Sequence, residues 1–324
     1  MSKRQLININ EYKGVENTLR FQNDTHGMIL NDIISNYISS ENPFSCIRMG
    51  NTETYIFHCL YNNLPITSKW HFDIMSTTSG VFPQDVEYYD TYYKKETIEC
   101  IKNSDIFGWL FHTVPEPSEK LTKDLLEDKV CFTNVCVLDP CVLATRYKNP
   151  WTQYLKGKKV LVISSMRETI LRQWENIDKV WGEKVDKIAP FELVDVIKSP
   201  HAPNVEGGTL YVGDKELKNW MDVKQFLQDE MDNYEYDIVL SGCGAWAPST
   251  VNHAKSRGKS GITLCGNIQL LFGIAGSRWV KRKEGYKEFH MCYNDNWCFP
   301  DKKDIPINIS LFKIYDKYGC PYNE

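Results

Sequence analysis

The segment 237–267 constrains the fold most, because it places a strand, a glycine turn, a helix and a second strand within about 30 residues. The turn carries Gly242 and Gly244, and Pro248 suits the first helical position because its missing N–H is not needed there. The helix is predicted to end at Gly258. A unit of this length implies parallel strand pairing with a right-handed crossover.

Two earlier segments repeat the order of strand, turn and helix. Residues 44–49 are predicted to form a short strand that ends at Gly50, where a helical pattern begins. Residues 158–163 form a buried-strand run that ends at Ser164, and a helix is predicted over 168–176. Three such units predict an α/β fold with a mostly parallel, Rossmann-like sheet flanked by helices. Because ligands bind outside the carboxyl ends of such strands, the three turns should converge on one crevice.

The sequence gives a weaker signal for domain boundaries than for the fold class. The long aromatic segment 70–126 is predicted to form a helical insertion or a lid. No linker composition forces a boundary, and the best division falls near 151–157. We therefore expect an N-terminal α/β part over 1–150 and a C-terminal Rossmann-like part over 151–324, or one continuous domain.

Composition excludes several function classes. The 324 residues are 42% hydrophobic and 25% charged, which is ordinary for a globular protein. The net charge of −4 leaves no basic excess for binding nucleic acid or an anionic membrane. The N-terminus has no apolar core of a secretory signal, and no stretch has the length of a membrane span. We expect a soluble, cytoplasmic protein, in the host cytoplasm if the source is viral.

The eleven cysteines do not indicate a structural zinc site, because no C-x-x-C pair occurs among them. Free buried thiols in a reducing compartment are expected instead. Aromatic residues make up 13% of the chain. His58 and His71 are interpreted as ordinary, partly buried side chains.

The Gly242 turn matches G-x-G-x-x-A between a strand and a helix, which suits a phosphate at a helix N-terminus. A dinucleotide site also needs an acidic residue about 20 positions later, to bind the ribose. The next strand instead ends near Asn267, which weakens an NAD interpretation. Two interpretations of this turn therefore remain open. It contacts a nucleotide or phosphate, or it is a tight turn that needs glycine only for its backbone conformation.

The Gly50 turn places Asn51 and Glu53 at the start of a helix. Oxygen ligands at this spacing can hold Mg²⁺ or Mn²⁺ against diphosphate oxygens. Alternatively, Asn51 caps the helix and Glu53 interacts with the helix dipole.

Six segments occur in the same order as the motifs of one family. Residues 48–53 read R-M-G-N-T-E where that family has R-x-G-D-x-E, and residues 78–83 read T-S-G-V-F-P where it has N-A-G-F-F-P. The other four segments are 150–163, 190–193, 242–279 and 294–300. In these segments the chain resembles the GT-D fold glycosyltransferases of capsule and surface-polysaccharide gene clusters, over roughly residues 28–306.

The resemblance implies transfer of a sugar from a nucleotide-sugar donor, usually a UDP-sugar, to a growing glycan acceptor. Asn51 and Glu53 take the places of the family's D-x-E carboxylates, which contact the donor diphosphate and its divalent cation, Mn²⁺ or Mg²⁺. Asn51 departs from the family's aspartate. An amide there removes one negative charge from a hard-cation site, so dependence on a metal is in doubt.

Candidate roles follow for the residues of these segments. Glu53 and Asp73 are the candidate catalytic bases. Backbone N–H groups around the Gly242 turn are expected to hold the leaving diphosphate, with Arg48 or Arg278. Trp246 is interpreted either as a stacking platform for the donor or as core. The donor-binding set is Arg48, Gly50, Asn51, Ser79, Gly80, Ser164, Gly242, Gly244, Trp246, Asn267, Gln269 and Arg278. The acceptor set is Trp279, Asn294 and Trp297, and part of the aromatic excess is expected to line a carbohydrate cleft.

Two other function classes remain open. An S-adenosylmethionine-dependent methyltransferase fits the fold class but calls for an acidic residue at the strand end where Asn267 stands. A non-catalytic module that binds a nucleotide-sugar or a glycan fits the amide at Asn51. The sequence leaves open the donor sugar, the acceptor, the stereochemical course and the oligomeric state.

Overall fold

A computed structural model describes residues 8–14, 24–109, 117–133, 135–201, 209–212, 214–281 and 284–305. The strands are β1 (Ser45–Arg48), β2 (Ile106–Gly108), β3 (Val130–Phe132), β4 (Lys159–Ser164), β5 (Glu192–Lys198), β6 (Leu210–Val212), β7 (Lys215–Leu217), β8 (Ile238–Gly242) and β9 (Ser260–Thr263). Seven of them form one sheet in the order β3-β2-β1-β9-β8-β4-β5, and β6 and β7 form a separate antiparallel hairpin. Every pairing in the large sheet is parallel.

The α-helices of the described chain follow in order. They are α1 (Asp24–Ser40), α2 (Asn51–Tyr61), α3 (Lys69–Thr77), α4 (Val86–Tyr88), α5 (Lys94–Asn103), α6 (Glu119–Leu121), α7 (Pro140–Arg146), α8 (Arg167–Trp174), α9 (Ile177–Trp181), α10 (Val185–Ile188), α11 (Trp220–Met231), α12 (Ala247–Ser256), α13 (Asn267–Leu271), α14 (Ser277–Val280) and α15 (Lys287–Cys292). A wide helical turn, Tyr89–Tyr93, joins α4 to α5. None of the helices in the described ranges is long and apolar enough to cross a membrane.

The central strands are apolar on both faces because helices cover both sides of the sheet. In β4, Val160 and Val162 point into one core, and Leu161 and Ile163 point into the other. All four side chains are fully buried. This confirms the prediction of an α/β fold with a parallel, Rossmann-like sheet.

The two helical layers determine where the sheet offers a crevice. Helices α2, α3, α5, α11 and α12 cover one face, whereas α1, α7, α8 and α13 cover the other. The chain leaves β1 and β8 toward the first layer, and it leaves β4 and β9 toward the second. Strands whose connections diverge in this way leave a crevice at their carboxyl ends. A crevice is therefore expected at the carboxyl ends of the central four strands, β1, β9, β8 and β4.

The expected insertion over 70–126 is not a separate lid. Its described part supplies β2 to the large sheet and α5 to one helical layer. Tyr89 and Tyr93 are almost completely buried, so both rings serve the core beneath the sheet rather than a surface lobe. The interpretation of this segment as a lid is therefore wrong, because its aromatic rings gain more from burial in the core.

The two predicted parts share one sheet. Strands β1, β2 and β3 come from residues 1–150, and the other four come from 151–324. The seam is the pairing of β1 with β9, in which Ser45 opposes Gly261 and Cys46 opposes Ile262. The backbone N–H of Trp151 also donates to Oδ1 of Asn31, at 2.7 Å.

Candidate functional site

A small cavity lies at the carboxyl end of β1, between α2, α5, α11 and α12. Its interior has room for about one water molecule. The lining residues are Ile47, Arg48, Met49, Gly50, Glu53, Tyr93, Glu96, Thr97, Cys100, Ile101, Trp220, Gly244, Ala245, Pro248 and Ser249. The cavity thus joins the Gly50 turn to the Gly244 turn, which are almost 200 residues apart in the chain.

Glu53 and Glu96 bring carboxyl groups to this cavity, and Glu53 is the one predicted as a base. It stands in the first turn of α2, and its side chain folds back over Gly50, where a Cβ would collide with Oε2 of Glu53. The glycine at position 50 is therefore needed to make room for the carboxyl group. The carboxylate accepts hydrogen bonds from its own backbone N–H and from the Ser79 hydroxyl.

Burial raises the pKa of Glu53 above its ordinary value. The hydrogen bonds from its own N–H and from Ser79, and the nearby positive charge of Arg48, lower that pKa but do not cancel the effect of burial. Tyr93 donates a hydrogen bond from its hydroxyl to the backbone carbonyl of Glu53, at 3.2 Å. The carboxyl group is thus desolvated and lies near Ser79 and Arg48, while Tyr93 holds the backbone of the same residue.

Ser79 and the Gly244 turn are packed directly on each other. The Ser79 carbonyl accepts from the Ala245 N–H at 2.9 Å. Gly244 has a φ of +64°, and a Cβ there would lie 2.7 Å from the Ser79 carbonyl oxygen. Gly244 is therefore needed because two chain segments approach each other closely at this point. The Ala245 N–H already has an acceptor, the Ser79 carbonyl.

Internal packing also accounts for three other predicted donor residues. A Cβ on Gly80 would collide with the ring of Trp246, and one on Gly242 would collide with Ile268. Ser164 opposes Gly242 across β4 and β8, and its hydroxyl accepts from the Met166 N–H at 3.2 Å. Ser164 and Gly242 lie side by side at the carboxyl ends of β4 and β8, but neither of them lines the cavity, and Gly80 does not line it either.

Trp246 belongs to the core. Its side chain is 2% exposed, and its indole N–H donates to the Trp220 carbonyl at 3.0 Å. The interpretation as a stacking platform is therefore corrected in favour of the alternative, since the ring packs over Gly80 instead of facing a cleft.

The remaining donor candidates do not line the cavity. Asn267 donates from its side-chain amide to the Leu138 carbonyl at 3.1 Å, on the opposite helical layer. The backbone carbonyl of Gln269 accepts from the Ile274 N–H at 2.9 Å. Arg278 is exposed and donates to the Tyr286 hydroxyl at 2.9 Å. Asn51 begins α2 beside the cavity.

Of the predicted acceptor residues, Trp279 and Trp297 belong to the core on the other face of the sheet, whereas Asn294 is exposed. Trp279 and Trp297 are 3% and 6% exposed, and both rings pack against Phe289. The side-chain amide of Asn294 donates to the Val180 carbonyl at 3.0 Å. The structure therefore corrects the interpretation of the two tryptophans as a carbohydrate surface, because burial against Phe289 leaves neither ring along a cleft.

Asp73 stands apart from the cavity as well. Its carboxylate pairs with Lys69 at 3.0 Å and is 43% exposed. It also accepts from the Gln84 side-chain amide at 2.9 Å. Of the two candidate bases, only Glu53 lines the cavity.

The residues present do not fit a divalent cation. Among the residues that the structure describes, no group of three or more His, Cys, Asp or Glu side chains is arranged to hold a metal. Asn51 supplies an amide in place of a carboxylate, and Arg48 adds a positive charge next to Glu53. A hard cation is disfavoured by both features.

Comparison with known proteins leaves the site to be interpreted from its own residues. No family model, no curated protein and no solved structure matches this chain. The likeness to GT-D enzymes therefore rests on the six sequence segments.

Sequence reasoning missed seven of the fifteen residues that line the cavity. These residues lie on α5, on α11, at the start of α12 and in the turn before α5, namely Tyr93, Glu96, Thr97, Cys100, Ile101, Trp220 and Ser249. Glu96 is paired with Lys224 at 2.7 Å. The crowded tyrosines of 88–93 were a signal for Tyr93, whereas no pattern in the sequence brings Trp220 to the site.

Proposed function

We propose that this protein is a glycosyltransferase that moves a sugar from a nucleotide-sugar, of the UDP-sugar type, to a hydroxyl group of a glycan. One observation carries the proposal. The cavity joins a guanidinium from Arg48, a buried carboxyl group from Glu53 and the Gly244 turn at the carboxyl edge of a parallel sheet. The segments that resemble glycosyltransferase motifs, 48–53, 78–83 and 242–245, meet at this edge.

Each group has a role in such a transfer. A diphosphate leaving group develops negative charge, which the Arg48 guanidinium stabilises. The attacking hydroxyl must lose a proton, and a carboxylate with a raised pKa is a stronger base near neutral pH. Ser79 is a positioning residue, because its hydroxyl donates to Glu53 and its carbonyl fixes the Gly244 turn. No step requires a metal ion.

The methyltransferase alternative gains nothing from the geometry. At the end of β9, where such an enzyme calls for a carboxylate, Asn267 donates its amide to the Leu138 carbonyl. The binding-module alternative predicts the same cavity without turnover, so an activity measurement separates it from the enzyme.

The test measures release of nucleoside diphosphate from a panel of UDP-, GDP- and TDP-sugars, each with and without Mn²⁺. We expect turnover of a UDP-sugar that does not need the metal. Glu53→Gln should lower the rate by about 100-fold or more, the usual range for removal of a general base. Glu99→Gln is the matched control, because Glu99 is 54% exposed and pairs with Lys102 on the surface of α5.

Two outcomes would reject the proposal. One is the absence of turnover with every donor, with and without Mn²⁺. Binding of UDP without turnover would then favour the module, and binding of S-adenosylmethionine would favour the methyltransferase. The other is a Glu53→Gln variant as active as the Glu99→Gln control, which would remove Glu53 from the mechanism.

A further inference from the structure

Two of the residues that line the cavity each carry a buried N–H group that has no acceptor. The two groups are Nε of Arg48 and the indole Nε1 of Trp220. The Trp220 side chain is only 1% exposed. Buried donors are almost always paired in native proteins, because an unpaired one forfeits its hydrogen bonds to water. Two such donors on one small cavity point to an oxygen atom that both of them bind.

The Trp220 indole is held firmly in its orientation. Its backbone N–H donates to the Phe82 carbonyl at 2.8 Å, and its carbonyl accepts from the Trp246 indole. The ring packs edge-on against Tyr93, with 5.7 Å between ring centroids. Tyr93 in turn donates its hydroxyl hydrogen to the Glu53 carbonyl. Trp220 and Glu53 are therefore connected through one intervening residue.

The size and polarity of the cavity decide what it can hold. It has room for about one water molecule, too little for a phosphate group or a sugar ring. Two of its lining residues carry an N–H donor without an acceptor, and two carry carboxyl groups, Glu53 and Glu96, of which Glu96 is already paired with Lys224. A hydroxyl oxygen fits this set, because it accepts two hydrogen bonds and donates its own hydrogen to a carboxylate.

We propose that this cavity binds a single hydroxyl group, which accepts hydrogen bonds from Arg48 Nε and Trp220 Nε1 and donates its hydrogen to the carboxylate of Glu53. Water is the occupant in the free protein. In the transfer proposed above, on which this second part rests, the occupant is the attacking hydroxyl of the acceptor. Trp220 then becomes a substrate-binding residue that the sequence motifs do not include.

The chemical step balances with these groups alone. The hydroxyl proton passes to the Glu53 carboxylate while the hydrogen bond from Arg48 Nε breaks, and the lone pair that this frees forms the bond to the anomeric carbon of the donor sugar. The bond between that carbon and the phosphate oxygen breaks, and its electron pair leaves with the nucleoside diphosphate. Trp220 Nε1 keeps its hydrogen bond to the oxygen during the attack, and the Arg48 guanidinium, released from the oxygen, stabilises the leaving charge.

The first experiment observes the indole directly in the full chain labelled with ¹⁵N-tryptophan. The nine tryptophans give nine indole signals, and the one lost in Trp220→Phe belongs to Trp220. We expect that signal to show a cross-peak to a bound water and to shift when methanol is added as a small hydroxyl probe. Trp246 is the control, because its indole N–H is bound to a backbone carbonyl and should show neither effect.

A crystal structure of the wild-type protein covers the case in which Trp220→Phe fails to fold. An ordered oxygen within hydrogen-bond distance of both Arg48 Nε and Trp220 Nε1 is the expected result. A cavity without such an oxygen, or a Trp220 signal that responds to neither water nor methanol, would overturn the proposal.

The second experiment separates water from an acceptor hydroxyl. With a UDP-sugar and methanol, the wild type should divide the sugar between free sugar and methyl glycoside. Trp220→Phe should raise the methanol KM by about tenfold, the effect of one lost hydrogen bond, and leave donor KM unchanged. Equal methanol KM values in both proteins would restrict the site to water. If no donor turns over, the proposed function fails while the indole measurement still decides the site.

Discussion

At the scale of single residues, Glu53 shows how one side chain determines the identity of its neighbours. Its carboxyl group occupies the space that a side chain at position 50 would need, and it takes the hydroxyl of Ser79 as a donor. Burial raises its pKa, because the nearby hydrogen bonds and the positive charge of Arg48 do not cancel the effect of desolvation. The fold accepts this desolvated carboxyl at a cost in stability, which is typical of groups retained for chemistry.

That cost predicts a pH-dependent effect of Glu53→Gln. Because the pKa of Glu53 is raised in the folded protein, its contribution to stability is greatest at low pH and declines as the pH rises through the folded-state pKa. The amide does not ionise, so the Tm of Glu53→Gln minus that of wild type should increase from about pH 4 to about pH 8.

Thermal unfolding across this pH range checks the prediction, with the exposed Glu99→Gln as the control. A difference that stays constant or shrinks with rising pH would contradict it.

At the scale of structural elements, alanine substitutions at Gly244 and Gly266 should differ clearly in their effect on the free energy of unfolding. Gly244→Ala should lower the free energy of unfolding by about 3 kcal/mol, because the residue has positive φ and its Cβ would meet the backbone of Ser79. Gly266→Ala should change it by less than about 0.5 kcal/mol, since nothing lies within 4 Å of a Cβ there. Urea unfolding of both variants provides the comparison, and equal losses would be inconsistent with this explanation.

Helix α8 receives its N-terminal cap from a distant segment. The carboxylate of Asp304 is fully buried and accepts from the backbone N–H and the hydroxyl of Thr169, each at 2.7 Å. It also pairs with Lys198 at 3.1 Å. The segment that contains Asp304 is thereby tied to the start of α8 and to the end of β5.

Removing this cap should cost about 2 kcal/mol, since Asp304→Ala leaves buried donors on α8 without an acceptor. Asp295→Ala provides the matched control, because Asp295 is exposed. The urea midpoints of the two variants measure the difference. A loss for Asp304→Ala no larger than for Asp295→Ala would argue against the cap.

The sequence predicted those elements whose signals are local. Residues 237–240 and 158–163 have the apolar runs of central strands, and the structure has β8 and β4 there. The three-residue strand β2 was missed, because pairing with β1 and β3 creates it and no local pattern does. The roles of Trp246 and Trp279 could not be read either, since burial of a ring depends on tertiary neighbours. Arg48, Gly50, Glu53 and Gly244 converge on the cavity because topology brings parallel strand ends together, whereas the Ser164 turn, which was also expected there, does not line it.

At the scale of the whole molecule, the shared sheet predicts one cooperative unit. Four strands from 151–324 pair with three strands from 1–150 through β9 and β1, and the Trp151 N–H binds Asn31 across the predicted boundary. Scanning calorimetry of the full chain should therefore show a single transition whose calorimetric and van't Hoff enthalpies agree. Two separate transitions would show that the parts unfold independently.

The position of β9 has a consequence for the protein during its synthesis. The last strand of the sheet to leave the ribosome belongs between β8 and β1, at the centre. Until residue 263 has emerged, the nascent chain carries two groups of strands whose inner edges have no partner. Those edges bear the apolar residues of both cores, so the interval before β9 arrives is when the chain is most exposed to aggregation and to capture by chaperones.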